Sequence, residues 1–175
     1  MYLGHFALKE APFSITPDTD FFFAHEGAQA SLNTLLVALR SGEGFIKVTG
    51  EVGTGKTLLC RALLNTLPAE RYQLAYLPNP GMSPVGLRQA LARELLVENL
   101  DELDAQGVLD ALHCRLIELA AEGRSTVLLI DEAQALPTAT LEALRLLTNL
   151  ETEQAKLLQV VLFGQPELDV TLARD

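Results

Sequence analysis

A chain of 175 residues with 49% hydrophobic and 21% charged residues carries enough apolar material for one domain with a core, which excludes intrinsic disorder. Its 23 acidic residues against 13 basic ones leave a net charge of −10, and a surface of that sign argues against nucleic acid as the main partner. No stretch reaches the ~18 apolar residues of a membrane span, and the opening MYLGHFALKEAPF lacks the layout of a signal peptide, so the chain reads as soluble and cytoplasmic.

Residues 1–24, rich in Pro and Phe, are expected as an extended segment packed on the core, because Pro12 and Pro17 block helix propagation. Leu32, Leu35, Leu36 and Leu39 then recur at helical spacing and predict a helix over 28–39, ending at Ser41-Gly42. Residues 45–49 form a short β-prone run leading straight into glycines, and 56–67 is helical again until Pro68. A second strand is expected over 72–77, closed by Pro78-Asn79-Pro80-Gly81, with helices over 84–96 and 103–121 after it. Residues 126–130 are unbroken β-branched and Leu residues, the mark of a strand buried on both faces. Residues 141–150 read as a helix, 157–163 as another buried strand, and a fresh helix begins near Pro166. Strands alternating with helices define an α/β fold with a mainly parallel sheet. The abrupt stop at Asp175 fits a core, 25–175, truncated at its C-terminal side. Cys60 and Cys114 both fall in apolar helical patterns and are expected as buried free thiols, without the spacing zinc requires.

The chemistry concentrates in two strings. Gly50-Glu51-Val52-Gly53-Thr54-Gly55-Lys56-Thr57 fits G-x-x-x-x-G-K-[ST] in full, between a β-prone run and a helical pattern. Chance would produce that match in roughly one per cent of chains this long. Glycines let main-chain N–H groups converge on phosphate oxygens, and the following helix, opening through Leu58, points its positive end at the same anion. Lys56 supplies a charge to the β and γ phosphates, and the Thr57 hydroxyl suits Mg²⁺. The second string, Val127-Leu128-Leu129-Ile130-Asp131-Glu132, ends a buried strand on two carboxylates, where α/β sheets bind ligands. Asp131 suits a metal-positioning role opposite Thr57, and Glu132 that of a base for the attacking water.

Gln165, at the end of the last strand, and Asn79, after the second, place polar amides toward the same face. Each has the alternative reading of a plain turn residue. His5, His25 and His113 are isolated and read as surface or core residues, and Phe21-Phe22-Phe23 as core. No Asn-Lys-x-Asp string occurs to read guanine, which favours ATP over GTP.

The strings FALKEAPFSITPDTDFFF, GFIKVTGEVGTGKTLLCR, LLIDEAQALP and VVLFGQPEL together resemble the AAA+ ATPases of the general secretion pathway A (ExeA) family over nearly the whole chain. The resemblance implies a three-layer P-loop NTPase of AAA+ (ASCE) type with sheet order 5-1-4-3-2, here without the last strand and the helical lid. It implies ATP and Mg²⁺ as ligands, self-association through AAA+ interfaces, and work at the inner membrane assisting type IV (MSHA) pilus or secretion-apparatus assembly. By the same likeness the glycine loop is Walker A and the Asp131-Glu132 strand end Walker B. Gln165 then corresponds to sensor 1, Asn79 to the residue restraining Glu132, and Arg174 is the nearest candidate for an arginine finger. The competing expectations are an accessory ATPase of DNA transposition and a nucleotide-gated scaffold.

Overall fold

Four parallel strands, β1 (Phe45–Thr49), β2 (Tyr72–Leu77), β3 (Ser125–Ile130) and β4 (Leu158–Gly164), lie in the order β1-β4-β3-β2 in the computed structural model, which describes His5 and residues 26–78, 80–152 and 156–173. The order is the 1-4-3-2 part of the expected AAA+ sheet. The expected extended segment 1–24 lies outside the described residues except for His5.

Burial on both faces explains why the central strands β3 and β4 are almost wholly apolar, with Thr126 and Gln159 as their buried polar residues. Successive side chains alternate across the sheet. Val127, Leu129, Val161 and Phe163 therefore face one side, against helices α1 (Glu26–Arg40) and α2 (Lys56–Thr66) through Leu32, Leu35, Leu39, Leu59, Cys60 and Leu63. Leu128, Ile130, Val160 and Leu162 face the other side, against α3 (Pro84–Glu94), α4 (Ala105–Ala121), α5 (Thr138–Thr148) and α6 (Glu167–Leu172). Each fully buried Leu or Val on these faces is worth roughly 1.5–3 kcal/mol over its exposed state. The result is three layers, helix–sheet–helix, and every strand runs its C-terminal end toward the same rim.

Local signals set the helix ends. Ser83 Oγ accepts the Gly86 N–H at 3.2 Å ahead of Pro84 at the start of α3. Asp104 Oδ1 accepts the Gly107 N–H at 2.7 Å at the start of α4. Both caps satisfy donors that a helix cannot pair internally. Helix α3 stops short of the expected Leu96, whose φ of +59° leaves the helical region and whose side chain is exposed. Helix α5 starts before the expected Leu141, at Thr138 behind Pro137.

One expectation about the thiols needs correction. Cys60 is fully buried in the α2 layer, but Cys114 is exposed. On α4 the buried stripe is Val108, Leu112, Leu116 and Leu119. Position 114 lies two residues from both Leu112 and Leu116, about 200° round the helix, and so faces away from the core.

Two polar links fix the sheet to its surroundings. Buried Gln159 on β4 donates through Nε2 to Leu39 O at 3.0 Å and Glu43 O at 2.9 Å, which ties the sheet to the α1–β1 junction. Asp169 on α6 accepts from Lys47 Nζ at 2.7 Å and Thr49 Oγ1 at 3.2 Å, across to β1. The hydrogen bond from Lys47, aided by that from Thr49, holds the Asp169 carboxyl below its ordinary range.

Candidate active site

The C-terminal ends of β1, β3 and β4 converge on one cleft of about 260 Å³, lined by Val52, Gly53, Gly55, Lys56, Thr57, Leu58, Glu132 and Gln165. The loop between β1 and α2 is built for close backbone approach. Gly50 N–H donates to Gly164 O at 3.2 Å, continuing the β1–β4 pairing into the loop. A Cβ on Gly50 would sit 2.9 Å from Thr54 Oγ1, which is itself bonded to Glu51 O at 2.8 Å, so a side chain there would force the turn apart. Gly55 takes φ +85° at the mouth of α2, a conformation open to glycine at little cost.

No side chain caps α2, and no acidic residue stands in its first turn. Its leading N–H groups and the positive end of the helix dipole are therefore aimed at the cleft, which is the environment an anion selects. Lys56 Nζ donates to Gly50 O at 2.7 Å and Glu51 O at 2.8 Å, so the ammonium is held over the loop with one proton of its three left to offer.

Thr57, on the first turn of α2, meets the end of β3. Its Oγ1 donates to Asp131 Oδ2 at 2.8 Å, across 74 residues of sequence. Asp131 is 4% exposed, and its other oxygen accepts the Glu132 N–H at 3.0 Å. A hydroxyl and a carboxylate fixed side by side are hard oxygen donors of the kind Mg²⁺ takes, so the residues present fit that ion. Glu132 follows with φ +52°, a left-handed conformation costly for a residue with a Cβ, and its exposed side chain lines the cleft.

Cys60 lies one helical turn beyond the loop and is fully buried. Burial, reinforced by the Asp131 charge and opposed by Arg61, pushes its thiol up to about 12. Burial likewise raises Tyr76, with the charges of Cys60 and Asp131 adding to it. Among the described residues no group of three or more His, Cys, Asp or Glu could hold a metal ion, so an all-protein metal cage is not what this site offers.

The site thus gathers Gly50, Glu51, Val52, Gly53, Thr54, Gly55, Lys56, Thr57 and Leu58 on one side, with Asp131, Glu132 and Gln165 opposite. Asn79 and Arg174 lie outside the described residues, as do His25 and Phe21-Phe22-Phe23, and His113 is exposed on α4. Sequence reading passes over Gln134. Its Nε2 donates to Glu132 Oε2 at 2.6 Å and its Oε1 accepts the Gln165 N–H at 3.1 Å, which joins the ends of β3 and β4. Its position two residues after the carboxylate pair was the one available signal.

Fold and site together define a P-loop domain of AAA+ type, and the chain belongs to the AAA domain family, whose sequence model matches residues 39–172. It is similar to General secretion pathway protein A of Aeromonas hydrophila, with 43% identity over 172 residues, 98% of this chain and 31% of that protein. The chain therefore spans about a third of the length of that curated relative. Among solved structures, the ORC2 protein of Aeropyrum pernix in its ADPNP–ADP complexes shares the fold at TM-score 0.61 and 18% identity, covering 94% of this chain and 46% of that one. CDC6P of Pyrobaculum aerophilum matches at TM-score 0.60 and 19% identity, covering 93% of this chain and 43% of its own.

Proposed function

We propose that this chain is the ATP-binding and hydrolysing core of a secretion-type AAA+ ATPase, working on type IV (MSHA) pilus or secretion-apparatus assembly at the cytoplasmic side of the inner membrane. The observation that carries the reading is the Thr57–Asp131 hydrogen bond, which brings the glycine loop and the β3 carboxylates into one cleft. In this reading the loop amides from Gly50 to Leu58 and the Lys56 ammonium hold the triphosphate. Thr57 and Asp131 hold Mg²⁺, whose chemistry when bound is to neutralise charge on the phosphate oxygens. Glu132 takes a proton from the attacking water, and Gln165 offers its amide to the γ-phosphate or that water. Asn79 is the candidate restraint on Glu132.

The assembly role is supported by the 43% identity to a protein named for general secretion, and the net charge of −10 weighs against DNA as the working partner. Among the described residues no helix is long and apolar enough to cross a membrane.

Phosphate release measured on the isolated chain tests the reading. Turnover is expected to be slow, because an arginine supplied across a subunit interface is worth about 10³–10⁵ in rate to P-loop enzymes. Rapid turnover by a strictly monomeric sample would contradict this dependence on neighbours.

A further inference from the structure

The 3-10 turn Ala133–Ala135 follows Glu132 directly and carries Gln134 back between the ends of β3 and β4. The Gln134 amide is used at both of its ends. Nε2 donates to Glu132 Oε2 at 2.6 Å, and Oε1 accepts from the Gln165 N–H at 3.1 Å. The slot it occupies is tight. A Cβ on Gly164 would stand 3.2 Å from Gln134 Oε1 and 2.9 Å from Cδ2 of fully buried Leu168. The absence of a side chain at 164 therefore leaves room for the amide in one place.

Glu132 depends on that amide. Among the described residues, the bond from Gln134 is the one hydrogen bond its carboxylate receives. Its backbone is in the left-handed region at φ +52°, with the N–H tied to Asp131 Oδ1. An otherwise exposed carboxylate on a long side chain samples many rotamers, and a base is effective only when held within reach of its proton. Oε1 receives no bond from a protein donor among the described residues and is open to accept from water.

We infer that Gln134 is a positioning residue for hydrolysis: it aims the Glu132 carboxylate into the cleft and couples it to the main chain at Gln165. This rests on the ATPase reading above. Neither Glu132 nor Gln165 needs to move far for the link to matter, because a base displaced by about 1 Å loses up to about a hundredfold in rate. The link also gives the end of β4, where Gln165 lines the cleft, a direct mechanical connection to the base on β3.

The test is single-turnover hydrolysis and Mg–ATP affinity for the parent chain, Gln134→Ala and Gln134→Glu, with a melting curve for each. Gln134→Ala is expected to slow the chemical step about ten- to a hundredfold, with the Kd for Mg–ATP within about twofold of the parent. Gln134→Glu keeps the length and the acceptor for the Gln165 N–H, but it exchanges the donor facing Glu132 for a second carboxylate. It is expected to slow the chemical step at least as much as Gln134→Ala, because two facing carboxylates repel and the base is no longer held. A merely structural amide would leave Gln134→Glu at the parent rate. That result, or an unchanged rate in Gln134→Ala, overturns the inference. A parent chain that binds Mg–ATP yet never releases phosphate fails the ATPase reading itself, visibly in the parent arm, and the inference falls with it.

Discussion

Replacing Glu132 with Gln is expected to lower the rate of ATP hydrolysis about 10²- to 10⁴-fold while Mg–ATP affinity stays within about threefold of the parent. The reasoning is geometric. The groups assigned to the phosphates stand on the loop and the first turn of α2, whereas Glu132 reaches the cleft from the end of β3. An amide of the same length fills the same space and still offers an oxygen to Gln134 Nε2, but it cannot accept the proton of an attacking water. Binding and chemistry should therefore separate in this one variant. Phosphate release and titration calorimetry on the same sample measure both. A variant that hydrolyses as fast as the parent removes Glu132 from the mechanism. The variant also distinguishes a motor from a nucleotide-gated scaffold: in cells, a motor loses its assembly function when turnover stops, and a scaffold that responds to binding keeps it.

Lys56→Ala is expected to raise the Kd for Mg–ATP by about ten- to a hundredfold, because a hydrogen bond to a charged group is worth about 1.5–3 kcal/mol and each 1.4 kcal/mol is tenfold in affinity. The lysine sits at the one point where loop and helix both address the cleft, and its ammonium is already held there by Gly50 O and Glu51 O. Removing it takes away the cation and also loosens the loop's own bracing, so the two effects act in the same direction. Stability should change little, since Leu59, Cys60 and Leu63 on the buried side of α2 are untouched. Calorimetry gives the affinity, and a melting curve close to the parent's rules out unfolding as the cause. Unchanged affinity would mean that the triphosphate is not seated on this loop.

The strands and the loop were legible because their signals are local. A strand covered on both faces is mostly apolar, and β3 and β4 are apart from Ser125, Thr126 and Gln159, so the runs 126–130 and 157–163 marked them to within a residue. Gly50 and Gly55 stand where a side chain would clash or strain, which makes the motif readable without coordinates. What the residues alone did not give depended on packing at a distance. Gln134 joins Glu132 to Gln165, and that contact exists because β3 and β4 are neighbours and bring together residues 31 apart in sequence. Cys114 was misread because an apolar helix in sequence shows no inside until its stripe is fixed by Leu112 and Leu116. The early end of α3 follows from Leu96 turning to positive φ, which no composition rule near it signals.

Mg–ATP, bound as proposed, would be held by the glycine loop together with Thr57 and Asp131. Titrating ATP into the chain by calorimetry, once with Mg²⁺ and once with the metal chelated, asks this directly. One nucleotide per chain is expected, with affinity falling about tenfold or more when the metal is removed, since Thr57 and Asp131 then have no cation to share with the phosphates. A chain that takes up no ATP, or binds it equally well with and without magnesium, would contradict the account.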